Sequence, residues 1–238
     1  MGVESTNYGL IGAFIFIFAF VVLFAYALIY SNQRRKRLLR FASQMGFTVI
    51  KKDEQLLRQL QPLYFPSRLL RISNLAKKKF QDGQIYLFDA LSSDAGKSNH
   101  GEETHSSEFG NIAILSPRLN LPSFFLLAHI PGPGALMTLV ENWMAETVER
   151  AGFSEVDTIP PDFSLQYRLF VKEDLRCEEV FSEKTLSAIA RTGQIIARGS
   201  GNALVFNRLP ISRGEKLDMN GLADHIQQAM RLFNTLQG

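Results

Sequence analysis

Cysteine is almost missing from this chain, since Cys177 is the single one among 238 residues. An internal disulfide is therefore excluded, which fits a reducing compartment. Charge is missing from Tyr8 to Tyr30, and no Lys or Arg precedes that stretch. The chain thus has neither the positive n-region nor the A-x-A cleavage site of a secretory signal peptide. We expect the apolar stretch to be retained.

The charge-free stretch 8–30 predicts a transmembrane helix. At 1.5 Å per residue it is about 34 Å long, enough to cross a hydrocarbon core of roughly 30 Å. A basic cluster follows directly and comprises Arg34, Arg35, Lys36, Arg37 and Arg40. The positive-inside rule then predicts residues 1–7 outside and the C-terminal part in the cytoplasm, at the inner (cytoplasmic) membrane.

Charge is divided unevenly along the rest of the chain. Residues 34–79 contain 13 basic and two acidic residues, whereas residues 80–238 contain 13 basic and 20 acidic residues. Anionic lipids of the cytoplasmic leaflet attract nearby Lys and Arg by about 1 kcal/mol each. The basic cluster therefore predicts the anionic inner leaflet as a partner. Nucleic acid is not predicted, because no recognition motif accompanies the charges.

Hydrophobic periodicity predicts a basic juxtamembrane helix over 31–46 and a cytoplasmic domain over 47–238. Within the domain, strands are expected at 47–50, 72–80, 84–92, 110–119, 123–130, 165–173, 194–199 and 202–209. Helices are expected at 53–61, 134–152, 174–193 and 217–236. This order favours an α+β fold, an antiparallel sheet with helices packed on one face.

The segment 134–152 has the clearest helical pattern. Its apolar face comprises Leu136, Leu139, Val140, Trp143, Met144, Thr147 and Val148. A stripe of this kind is typical of a helix that packs on a core. We therefore expect Trp143 in the interior rather than at a cofactor.

The polar stretch between two predicted strands resembles an active site in two ways. Gly96-Lys97-Ser98 matches the end of a phosphate-binding P-loop, but Leu91 stands where the first glycine is required, and no apolar stripe follows to form the helix. His100 and His105 are five residues apart, which differs from the His-Glu-x-x-His spacing of zincins. We expect an exposed connection between strands 85–91 and 111–116.

Other catalytic motifs are also lacking. No G-x-S-x-G nucleophile elbow occurs, and Cys177 is followed by two glutamates that oppose a thiolate. The sequence therefore predicts no catalytic, cofactor-binding or metal-binding residue, and no cofactor. Whether the chain is an enzyme stays open. Four residues remain as candidates for a site assembled from scattered positions: Asp89, His100, His105 and Glu108.

Four stretches read together resemble a known family. They are "RRKRLLRFASQMGFT", "IYLFDALSSDAGKSNHGEETHSSEFGNIAIL", "PDFSLQYRLFVKED" and "GQIIARGSGNALVFNRL". The chain resembles a widespread, uncharacterised bacterial family of single-pass membrane proteins with a cytoplasmic α+β domain. The resemblance implies a variable loop over 92–110 and brings no catalytic residue with it.

These observations favour a membrane-anchored cytoplasmic binding or scaffold domain with a protein partner, for example as a subunit of an envelope assembly. Two alternatives stay open. One is a membrane-tethered hydrolase or transferase with a non-contiguous site, and the other is a module that senses anionic lipid through residues 34–79.

Overall fold

The computed structural model describes residues 35–64, 68–94, 105–130, 135–172, 176–208 and 219–237, together with 13, 16, 18–23 and 33. Its strands are β1 (Thr48–Val49), β2 (Arg68–Phe80), β3 (Gly83–Asp94), β4 (His105–Leu115), β5 (Leu121–Ala128), β6 (Ser154–Glu155), β7 (Tyr167–Val171), β8 (Ile195–Gly201) and β9 (Ala203–Arg208). Its helices are α1 (residues 35–44), α2 (Glu54–Leu60), α3 (Ala135–Arg150), α4 (Pro161–Ser164), α5 (Cys177–Val180), α6 (Glu183–Ala190) and α7 (Met219–Leu236), with a 3-10 helix at Gln61–Tyr64.

All the strands belong to one antiparallel sheet, in the order β1-β2-β3-β4-β9-β8-β5-β7-β6. The α+β prediction is therefore confirmed. Local hairpins join β2 to β3 and β8 to β9. Asp82-Gly83 and Gly201-Asn202 lie at their turns, and such dipeptides between apolar runs favour hairpins. The central pairings of β4 with β9 and of β5 with β8 join parts of the chain that are far apart in sequence.

Helices pack on both faces of the sheet, so the prediction of one covered face is wrong. Phe124 and Leu126 point to one face and pack in the larger core, to which α1, α6 and α7 also contribute. Phe125 and Leu127 point to the other face, beneath α3, because side chains alternate along a strand. The continuous apolar run in β5 is typical of a strand buried on both faces. This run indicates that both faces of the sheet are covered.

The β3–β4 connection is shorter than predicted. β3 continues to Asp94 and β4 starts at His105, with Ser93 opposite His105. Residues 92–94 and 105–110, expected in an exposed loop, therefore lie in strands. The prediction placed strands only where side chains are apolar. Strand pairing uses backbone hydrogen bonds, so polar residues such as Ser93 and His105 can extend it.

The helix predicted over 174–193 is interrupted. α5 ends before Phe181, and the Ser182 hydroxyl accepts a hydrogen bond from the Thr185 amide at 3.4 Å, which starts α6. The Phe181 ring is buried edge-on against Phe124, with 5.0 Å between ring centroids. Ser182 followed by Glu183 is a typical start of a helix, because a serine hydroxyl caps the first backbone amides. Burial of the Phe181 ring fixes the chain just before this point, so a new helix starts at Glu183.

α1 belongs to the core of the domain. Leu38 and Ala42 are completely buried, and Phe41 and Met45 pack beside them. The Lys78 ammonium donates a hydrogen bond to the Met45 carbonyl at 2.8 Å, which fixes the end of the helix to β2. Most of the predicted membrane segment 8–30 lies outside the described residues. Among those that are described, no helix has the length and apolar character needed to cross a bilayer.

Candidate functional site

Asp89 joins three neighbouring strands at a point where both strand pairings shift register. Its side chain is 4% exposed. One carboxylate oxygen accepts from the Asn74 side-chain amide at 2.7 Å, and the other accepts from the Gly110 backbone amide at 2.8 Å. Asn74 and Gly110 have φ values of 54° and 66°, in the left-handed region that glycine and asparagine adopt more readily than other residues. These hydrogen bonds indicate that Asp89 has a structural role and links β2, β3 and β4.

The other scattered candidates are not assembled into a site by the described residues. His105 and Glu108 lie on β4, opposite Ser93 and Ala90, and their side chains fall outside the described part. His100 lies outside the described residues altogether. No group of three or more His, Cys, Asp or Glu side chains is placed to hold a metal ion in the described ranges. These candidates remain predictions.

The basic cluster lies on the outer side of α1. Its described members, Arg35, Lys36, Arg37 and Arg40, are all exposed, while Arg34 lies outside the described residues. The opposite side of the same helix is the one that packs in the larger core. The four charges are therefore accessible to a membrane surface or to another partner.

An apolar surface lies on the outward side of α3, and we call it the α3 stripe. It is formed by Leu139, Val140 and Trp143, which are 63%, 39% and 58% exposed. α3 packs instead through Ala145 and Val148, against apolar side chains of β5 and β7. The expectation that Trp143 faces the interior is therefore wrong.

The geometry of a helix explains why the stripe stays outside. Leu139 and Val148 are nine positions apart, which places them about 180° apart around the axis at 100° per residue. A single sheet contact cannot bury both. Val148 and the small residue Ala145 are the ones that face the sheet, and Ala145 lets the helix approach closely.

Polar contacts hold α3 in this orientation and border the stripe. Glu141 Oε2 lies 3.1 Å from His129 Nδ1, and His129 Nε2 lies 3.1 Å from the Ser164 carbonyl. These contacts connect α3 to the end of β5 and to α4. On the outer surface, Glu146 and Arg150 form an exposed ion pair at 2.9 Å, and Glu149 is exposed beside them.

A groove of about 550 Å³ opens where β5 begins and α7 ends. Three basic side chains and one carboxylate line it: Arg118, Arg176, Lys184 and Glu179. Polar side chains also line it, among them Asn120, Ser182 and Thr185, and Asn234 and Thr235 from the last turn of α7. We call it the basic groove. It is assembled from the β4–β5 connection, α5, α6 and α7, so no short sequence motif predicts it.

Two buried tyrosines have raised pKa values but are engaged within the protein. Burial raises the pKa of Tyr167 to about 12, and its hydroxyl donates to the Gly193 carbonyl. Burial, and next the charge of Asp53, raise the pKa of Tyr86 to about 12. The Tyr86 hydroxyl donates to Gln84 Oε1 at 2.5 Å. Both groups therefore stay protonated at neutral pH.

The sequence matches no protein-family model and no curated protein. Among solved structures, the chain is similar to the crystal structure of the mycobacterial trehalose monomycolate transport factor A, TtfA. The two share 10% identity with a TM-score of 0.49, and the alignment covers 85% of this chain and 94% of that one. A likeness of this degree does not transfer a function.

Proposed function

We propose that this protein is a single-pass inner-membrane protein whose cytoplasmic domain binds a protein partner. The proposal rests on a group of large apolar side chains in helical residues near the N-terminus. These side chains are exposed all around the helix axis. They are Phe16, Phe18, Phe20, Val21, Val22 and Leu23, between 49% and 74% exposed. Exposure of so much apolar surface to water is unfavourable, and a bilayer removes that cost.

α1 supports a fixed position of the domain beside the membrane. It follows the apolar segment, yet Leu38 and Ala42 are buried in the larger core. We expect the packing of α1 to keep the domain close to the bilayer in which the apolar segment is proposed to lie. The basic cluster on the outer side of α1 suits the anionic inner leaflet, which we propose as its second partner.

The α3 stripe supports a protein partner. Tryptophan is enriched among the residues that dominate binding energy at interfaces, and Leu139 and Trp143 have the i, i+4 spacing of apolar anchors in helical interfaces. Glu146 and Glu149 lie C-terminal to the stripe on α3, and Arg150, the basic residue beside them, is paired with Glu146, so Glu149 leaves a net negative charge there. We propose that the stripe binds an amphipathic helix of another protein, one whose apolar side chains are bordered by Lys or Arg.

A crosslinking pull-down of the tagged full-length protein from native membranes tests this proposal. Leu139→Ala with Trp143→Ala removes the two most exposed side chains of the stripe, and Leu165→Ala is the control, because Leu165 is 79% exposed and lies outside α3. We expect a stoichiometric partner with the wild type and the control, and its loss with the double variant. Recovery of abundant contaminants alone, or equal recovery by all three proteins, would contradict the proposal.

Reporter fusions test the orientation separately. A C-terminal fluorescent protein is expected to fold and fluoresce, and a C-terminal alkaline phosphatase, which requires export, is expected to stay inactive. Replacing the five residues of the basic cluster by glutamine removes the topology signal. A mixed population with measurable phosphatase activity is then expected. High phosphatase activity with the unaltered protein would overturn the predicted orientation.

A further inference from the structure

We infer that the basic groove is a binding site for a phosphate-bearing anion. The inference does not depend on the partner of the α3 stripe. The groove presents three positive side chains and one negative side chain on a concave surface. This sign is opposite to that of residues 80–238 as a whole, which carry seven more acidic than basic residues. A local concentration of positive charge in an acidic domain directs anions to this concavity.

The two arginines are held in place by neighbouring groups. Arg176 donates from Nη1 to the Asn120 side-chain oxygen at 2.6 Å, and Arg118 lies 2.8 Å from an Asp82 carboxylate oxygen. Ser116, which is buried, accepts from the Arg118 amide at 3.1 Å and donates to the Asp82 carbonyl at 2.5 Å. The guanidinium groups are therefore positioned before any ligand arrives, which lowers the entropic cost of binding.

Lys184 supplies a charge that is not neutralised within the described part of the chain. It is exposed in the first turn of α6 and has no ion pair with any described residue. α6 contributes the positive end of its helix dipole, and α7 contributes the negative end of its own, each about half a charge. The two partial charges oppose each other, so the net charge of the groove depends on its side chains. Glu179 lines the groove and Asp82 pairs with Arg118, so three basic and two acidic side chains leave a net positive charge.

The lining indicates a ligand larger than one phosphate. Arginine donates two parallel hydrogen bonds to phosphate oxygens, and lysine adds a point charge. Serine, threonine and asparagine side chains around the cations provide partners for hydroxyl groups. The chemical class is a phosphate-bearing anion larger than a single phosphate ion, either a soluble compound or a lipid headgroup.

Isothermal titration calorimetry of the full-length protein in nanodiscs of neutral phosphatidylcholine tests the site. The two probes are inorganic pyrophosphate and a water-soluble, short-chain phosphatidic acid. Arg176→Gln with Lys184→Gln removes two of the three cations. Lys51→Gln with Arg58→Gln is the matched control, since it removes one exposed lysine and one exposed arginine elsewhere. Glu179→Gln removes the opposing carboxylate.

We expect saturable binding of at least one probe, weakened about tenfold or more by the groove double variant and unchanged within about twofold by the control. Glu179→Gln is expected to tighten binding, a gain that a folding defect cannot produce. Binding of pyrophosphate identifies a soluble ligand, and binding of the phosphatidic acid alone identifies a headgroup. No saturable binding of either probe, an equal loss in the control, or weaker binding by Glu179→Gln would overturn the inference.

Discussion

Replacement of Asp89 by alanine is expected to destabilise the domain strongly. The buried carboxylate accepts hydrogen bonds from Asn74 and Gly110 at 2.7 and 2.8 Å. A hydrogen bond to a charged group contributes about 1.5–3 kcal/mol, and removal of the acceptor leaves both donors unsatisfied. We therefore expect the free energy of unfolding to fall by about 3–5 kcal/mol. Asp89→Asn keeps one acceptor and turns an amide toward the other donor, so we expect about 2 kcal/mol.

The assay is guanidinium unfolding of the full-length protein in detergent micelles, followed by far-ultraviolet circular dichroism. Asp157→Ala is the matched control, because this aspartate is exposed, and a change within about 0.5 kcal/mol is expected for it. If Asp89→Ala is as stable as the control, the structural role is refuted. Unchanged stability together with loss of the partner in the crosslinking pull-down would instead make Asp89 a functional residue.

Two further variants test the packing and the pH dependence. Gly199→Ala would place a Cβ atom 2.5 Å from a Phe124 ring carbon, so we expect a loss of about 1–3 kcal/mol of stability. Phe124→Leu in the same chain should restore part of it, and full stability of Gly199→Ala alone would contradict the tight contact. Tyr167 has a pKa of about 12 in the folded protein, above its ordinary value near 10. The unfolded chain releases this proton first, so stability should fall as the pH rises from about 10 to 12. Tyr167→Phe should make that fall shallower, which pH-dependent unfolding measures, and an unchanged slope would contradict the assignment.

Elements with a strong local signal were predictable. α2 starts after Asp53, whose carboxylate accepts from the Leu56 amide at 3.0 Å, as the N-cap pattern indicates. The β2–β3 hairpin turns at Asp-Gly, with Phe80 opposite Gly83. In both cases the residues that determine the structure are neighbours in the chain.

The sheet order and the binding surfaces were not predictable in this way. β5 lies between β7 and β8, and β9 lies beside β4, so the centre of the sheet depends on contacts between distant segments. That order makes β5 an inner strand of the sheet, and both of its faces are buried. It also determines the packing of α3 on β5 and β7, which leaves Trp143 exposed. The basic groove likewise brings together Arg118 and Arg176, which no periodicity connects.

Site-specific photo-crosslinking in intact membranes tests the central claim most directly. A photoreactive amino acid is placed at position 143 on the α3 stripe, and in a parallel strain at position 165, which is also exposed. The proposed function predicts one discrete crosslinked product at position 143 and none of that size at position 165. The absence of a discrete product at position 143, or the same products at both positions, would contradict a protein partner bound at α3.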